Sequence, residues 1–297
     1  YGSILIPVSK QKLKSNKLFE IVKIAQEKFN IPIFRSETGF SVKGIDLGSN
    51  NFRINKKVKV GLLIGDGVNS YEAGEVWHLL DTRVEMPLTK IRLNQFKRVS
   101  LQKYTTLVMV SGSYNQLNKE DIEKIKKWVE AGNTLITIGT ASSWAIKKNI
   151  VKESLVESKK DSIFSRKRYV DARENIGKER IGGSILSVDL DLTHPLTFGY
   201  RDSSIPIYKN NNVFINKTKN DYSSVAIYSK IPHIDGYVSK KNIEDNIMGS
   251  SSLIVSGLKS GRVIIFADNP NFRGTWYGTN KLFLNAIFLG KNISVPK

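Results

Sequence analysis

The sequence predicts an α/β fold built on a mainly parallel sheet with a β-rich C-terminal extension. Three observations predict it. Short apolar runs that end in Gly- or Ser-rich turns alternate with stretches of helical periodicity between residues 57 and 146, the rhythm of parallel strands joined by crossover helices. Val60 to Ile64 is the type case, a partly β-branched run that stops at Gly65-Asp66-Gly67 as a strand covered on both faces does. Beyond residue 183 the pattern changes to alternating strands with no helices between them.

Residues 1–56 read as a connector of strand, helix and strand. Ile4 to Val8 is the first strand, Ser15 or Asn16 caps a helix bearing Leu18, Ile21, Val22 and Ala25, and Ile31 to Phe34 is a second extended run. Pro32 argues for an edge or a short strand. Up to residue 60 there are 12 Lys+Arg against 4 Asp+Glu. The piece is too small to own a core and is expected to dock on an upstream domain. The start at Tyr1 without a methionine is expected of a piece of a longer protein.

Residues 57–297 form the main domain. After Val60–Ile64, Asn69 caps a helix from Ser70 to Asp81, and Glu72 three residues on completes a capping-box pattern. Val84 to Ile91 is a strand, with Pro87 marking a bend or an edge. Thr105 to Val110 is a continuous strand ending in Ser111-Gly112-Ser113-Tyr114. Asn118 caps the next helix, which buries Ile122, Ile125, Trp128 and Val129 and leaves through Gly132. Thr134 to Ile138 is a strand ending at Gly139-Thr140-Ala141, and Ser142 or Ser143 starts another helix.

The rhythm breaks from Lys147 to Arg180, with 11 Lys+Arg and 6 Asp+Glu among few apolar residues. A charged insertion around 147–182 explains this. Strands follow at Ser184–Leu190, Ile205–Tyr208, Val213–Ile215 and Val225–Tyr228. Ser252–Val255 and Arg262–Phe266 pair as a hairpin. The last helix, Asn280 to Leu289, buries Leu282, Phe283, Ala286 and Ile287.

Composition excludes several chemistries. With no cysteine there is no thiol nucleophile, disulfide or thiolate metal site. The histidines are His78, His194 and His233, and none has metal-ligand spacing. No apolar run is long enough to span a bilayer. Against 46 Lys+Arg stand 27 Asp+Glu, a net charge of +19. An anionic partner is one reading. The even spread of charge and the lack of any nucleic-acid motif favour solvated basic faces and make nucleic acid a poor candidate.

Candidate site residues gather where strands end, since ligands bind there in open α/β sheets. Asp66, Asn69 and Glu72 follow the first strand, Ser113 and Tyr114 the third, and Thr140 the fourth. The stretch Phe266 to Asn280 adds Asp268, Asn269 and Arg273 in a dense polar and aromatic group. Capping and turn formation account for these residues about as well as ligand binding does. Ser111, Ser113 and Thr140 lie where a nucleophile elbow would, yet no GxSxG pattern is present.

Several of these segments together resemble one family. GVNSYEAGEVWHLLDTR, the strand with SGSYN at 105–115, KKWVEAGNTLITIGTASSWA, LDLTHPLTFGY and GRVIIFADNPNFRGTWYGTNKLFLNAIFLG are similar to the C-terminal region of bacterial M14-family zinc carboxypeptidase-like proteins. That region is similar to class I glutamine amidotransferases, so the resemblance implies a three-layer, flavodoxin-like sandwich. It implies no cofactor in this chain, zinc being held by an upstream catalytic domain that would also be the partner. It implies a periplasmic or extracellular setting.

The resemblance also removes chemistry. Amidotransferases carry a cysteine at the elbow, where this chain has Gly139-Thr140-Ala141. Their His-x-Glu follows a late strand, where this chain has Phe266-Ala267-Asp268-Asn269-Pro270. A non-catalytic accessory domain that packs on its partner or binds a small or acidic ligand is the expectation. The alternatives are a hydrolase or transferase using Ser113 or Thr140 with Asp268 or Glu72, and an anion- or polysaccharide-binding module.

Overall fold

The computed structural model describes residues 4–157, 166 and 168–296, in two units, Gly2–Lys56 and Lys57–Lys297. The first unit holds helix α1 (Ser15–Phe29), which closes at Asn30 in the left-handed conformation, φ 48°. Its N-cap is Lys14, without a side-chain bond, so neither Ser15 nor Asn16 caps it as expected. The strands expected at 4–8 and 31–34 do not form. Neither run has a neighbouring strand in its unit to supply ladder hydrogen bonds. None of the described side chains in this unit is fully buried.

The second unit is organised by a nine-stranded sheet. Its strands are β1 (Val60–Ile64), β2 (Leu88–Arg92), β3 (Thr106–Met109), β4 (Thr134–Ile138), β5 (Ser184–Leu190), β6 (Ser204–Lys209), β7 (Ser224–Gly236), β8 (Ser251–Leu258) and β9 (Gly261–Phe266). They run in the order β2-β1-β3-β4-β9-β8-β7-β5-β6. The first five are parallel, and their order reverses beside β1 as in flavodoxin-like sheets. The last four extend the sheet antiparallel.

Helices cover both faces. The remaining ones are α2 (Ser70–His78), α3 (Lys119–Glu130), α4 (Thr140–Lys147), α5 (Ala172–Glu179), α6 (Lys240–Asn242) and α7 (Tyr277–Leu289). Val60, Leu62, Val108 and Ile136 face Ala73 and Val76 of α2 and Leu282, Phe283, Ala286 and Ile287 of α7 in one core. Leu63, Leu107, Leu135 and Ile265 share the other core with Ile122, Ile125, Trp128 and Val129 of α3 and with Trp144 of α4. The period-2 alternation of each central strand therefore feeds two apolar layers. The result is a three-layer sandwich.

Some elements differ from the sequence reading for local reasons. The strand expected from Val84 begins only at Leu88, because Glu85 is left-handed at φ 53° and Pro87 has no N–H. The helix after β1 ends in a π turn, Leu79–Arg83. Val213–Ile215 is not a strand, because the Asn211 side chain takes the Val213 N–H at 2.9 Å and Ile215 makes only isolated bridges. The charged insertion contains α5, and residues 158–165 and 167 within it lie outside the described residues.

Candidate functional site

The C-terminal ends of the parallel strands are knitted together by their own loops. Gly65 starts a turn closed by Val68 N–H to Gly65 O at 2.9 Å. The loop then pairs with the one after β3: Asn69 N–H reaches Ser111 O at 2.8 Å and Ser113 N–H reaches Gly67 O at 2.7 Å. A Cβ on Gly67 would sit 2.6 Å from Ser113 O, and one on Gly112 2.6 Å from Gly67 O. Only glycine permits this approach.

Asn69 caps α2, its Oδ1 accepting from Tyr71 N and Glu72 N at 3.0 and 3.2 Å. Glu72 does not complete the capping box. The Asn69 N–H is already committed to Ser111 O, and Glu72 Oε2 accepts from Ser111 N at 2.8 Å. The realised capping box is at α3, where Asn118 and Asp121 exchange both bonds. Burial raises the Glu72 carboxyl above its ordinary value, and the Ser111 amide and hydroxyl beside it pull it back in part.

The chain then makes a strand–turn–helix elbow between β4 and α4. Its apex is Gly139, at φ 58° and ψ −124°, a backbone that side-chain-bearing residues rarely adopt. A Cβ there would lie 2.2 Å from Ser111 Oγ. The Ser111 hydroxyl thus occupies the place from which an elbow nucleophile would project. The same hydroxyl accepts from Thr140 N at 3.2 Å, the amide that follows the apex and serves as an oxyanion donor in elbow enzymes. Thr140 Oγ1 in turn accepts from Gly112 N at 2.8 Å.

The loop after β9 is pinned by a carboxylate. Glu75, one turn beyond Glu72 on α2, accepts from Asn269 Nδ2 at 2.5 Å and from Arg273 N at 2.6 Å. Burial raises its carboxyl, and those two donors oppose the rise. Arg273 is itself left-handed, φ 52°.

The predicted site residues therefore separate. Asn69, Glu72, Thr140, Asn269 and Arg273 belong to this network. Asp66 and Ser113 are exposed on its rim, where Asp66 O accepts from Gln116 Nε2 at 2.9 Å. Tyr114 and Asp268 do not line the cleft. Tyr114 is 1% exposed, packs on Trp144 and donates to Val110 O at 2.5 Å. Asp268 is buried and accepts from Lys209 Nζ at 3.0 Å, Ser252 Oγ at 2.8 Å and Tyr228 OH at 2.5 Å. Glu75, Ser111 and Gly139 were not singled out from sequence as the centre of the site. The i, i+3 spacing of Glu72 and Glu75 on one helix face was the available signal.

The histidines hold local structure. His194 Nδ1 accepts from Leu196 N at 3.1 Å, and burial lowers its pKa to about 4. His233 Nε2 lies 2.6 Å from Gly236 O, and His78 Nδ1 lies 3.3 Å from Thr82 Oγ1. Among the described residues no group of three or more His, Asp or Glu side chains is placed to hold a metal ion, and no helix is long and apolar enough to cross a membrane.

No family model and no curated protein matches the chain by sequence. Among solved structures it is similar to a ThuA-like protein from Parabacteroides merdae, with 13% identity, a TM-score of 0.52, and coverage of 82% of this chain and 92% of that one. It is also similar to a glutamine amidotransferase from Thermotoga maritima, with 12% identity, a TM-score of 0.44, and coverage of 77% and 81%. At 13% identity the likeness to the ThuA-like protein concerns the fold alone, and the strand order itself is of the flavodoxin type.

Proposed function

We propose that the second unit is a non-catalytic accessory domain, of the kind implied by the resemblance to the C-terminal region of zinc carboxypeptidase-like proteins. On this reading it packs on, or presents a surface to, a catalytic partner that holds the zinc. One observation carries the proposal: the elbow is present but plugged. Gly139 supplies no nucleophile, Ser111 Oγ fills the space beside it, and the Thr140 amide is already hydrogen-bonded. A site that must stabilise developing charge keeps such donors open toward the reacting atom.

The test is turnover. The purified chain is incubated with glutamine, p-nitrophenyl acetate and a C-terminally unblocked peptide, beside the Ser111→Ala, Ser113→Ala and Thr140→Ala variants. The expected result is no hydrolysis above the uncatalysed rate in any of them. Hydrolysis by the parent chain that one of these substitutions abolishes would overturn the proposal and favour a hydroxyl nucleophile at this edge.

A further inference from the structure

A second feature lies apart from the elbow. A cleft of about 270 Å³ opens between α4, the end of α5, the segment after β6 and the π turn Ile243–Ile247. Its volume approaches that of small-molecule sites. Its walls carry Lys147, Lys241, Glu179 and Asp245 beside the apolar Val156 and Phe214, and of the four charged residues Lys241 and Asp245 already have interaction partners.

The polar groups are available. Neither Lys147 nor Glu179 has an ion-pair partner among the described residues, and the Ser143 hydroxyl takes part in no hydrogen bond there. Asn246 is only 8% exposed and its Nδ2 is spent on Asn242 Oδ1 at 2.9 Å. Its carbonyl oxygen accepts no bond from the described residues. The π turn that presents Asn246 is a distortion frequent at functional sites.

We infer that this cleft binds a neutral α-amino acid with an apolar side chain. An ammonium and a carboxylate without ion-pair partners among the described residues, lining one small cavity, match a zwitterion and disfavour a simple anion or cation. The Glu179 carboxylate and the Asn246 carbonyl accept from the ligand's ammonium. Lys147 and the Ser143 hydroxyl donate to its carboxylate. Val156 and Phe214 cover its side chain. The inference does not depend on the elbow being inactive.

Calorimetric titration of the full chain with L-leucine tests it. Saturable binding is expected, with about tenfold weaker binding of L-leucinamide and of 4-methylpentanoate, each of which lacks one charge. Lys147→Met and Glu179→Gln are each expected to weaken L-leucine binding by about tenfold, with unchanged circular dichroism, since both side chains are exposed. Absence of saturable L-leucine binding would overturn the inference. So would equal affinity for the single-charge analogues, or full affinity in both variants.

Discussion

Ser111 Oγ lies 2.2 Å from where a Cβ on Gly139 would be. The two residues are therefore a matched pair, and either side chain can occupy the elbow but not both. Gly139→Ala is expected to destabilise the protein by roughly 1–3 kcal/mol from backbone strain alone, with the contact added. Ser111→Ala removes the contact but not the strain, so Gly139→Ala/Ser111→Ala should cost less than the sum of the single changes. Urea denaturation of the four proteins measures this coupling. Strict additivity would mean that the loop after β3 moves aside freely.

Glu72 gives the site a pH dependence. Its folded-state pKa is raised above the ordinary 4.5, chiefly by burial, so the folded protein binds its proton more tightly than the unfolded chain. Its contribution to stability is then fully present below the ordinary value and is lost as pH rises through the folded-state value. Glu72→Gln cannot titrate, and its amide oxygen can still accept from the Ser111 N–H. The stability of Glu72→Gln relative to the parent should rise as pH increases above the ordinary value of 4.5, and level off once the folded-state value is passed. Urea midpoints across that range decide it, and a pH-independent difference would contradict the assignment.

Glu75 is expected to act as the clasp of the last loop. Glu75→Ala leaves Asn269 Nδ2 and the Arg273 N–H without their acceptor, and bonds to a charged partner are worth about 1.5–3 kcal/mol. Local opening at the exposed, left-handed Arg273 should increase by about tenfold or more. Limited trypsin digestion under native conditions reports this as faster cleavage after Arg273. Unchanged cleavage there would show that Thr279 and Asn280, which bind Pro270 O at 2.7 and 3.0 Å, hold the loop without Glu75.

Much of the fold was legible because each central strand is a self-contained signal. Val60–Ile64, Thr134–Ile138 and Ser184–Leu190 are apolar or alternating runs bounded by turn residues, and they occur as β1, β4 and β5 at those limits. The face Leu282, Phe283, Ala286 and Ile287 is buried in α7 as its spacing predicts. Segments decided by single side chains were not legible. Val213–Ile215 has strand composition, but Asn211 captures its first N–H. The site was legible as a place, and its wiring was not. Nothing local in the sequence says that Glu72 serves Ser111, 39 residues away, in place of its own helix cap. Asp268 has the composition of a cleft residue, and its role is set by partners on β6, β7 and β8.

Those partners carry the last prediction. Lys209 Nζ is fully buried and bonds Asp268 Oδ1 at 3.0 Å and Val213 O at 2.9 Å. Tyr228 and Ser252 donate to the other carboxylate oxygen, so the pair ties the end of parallel β9 to the antiparallel half. Burial lowers the Lys209 pKa, and Asp268 opposes the shift. Removing one charge strands the other, which costs about 3–5 kcal/mol where the pair is buried, and that is the loss expected for Lys209→Met. Asp268→Asn keeps an acceptor for Tyr228 and Ser252 while removing the charge. Lys209→Met/Asp268→Asn should therefore be more stable than Lys209→Met alone, although it carries one more substitution. Chemical denaturation of the three proteins tests this, and a double variant less stable than Lys209→Met would show that Tyr228 and Ser252 sustain the Asp268 carboxylate without its counter-ion.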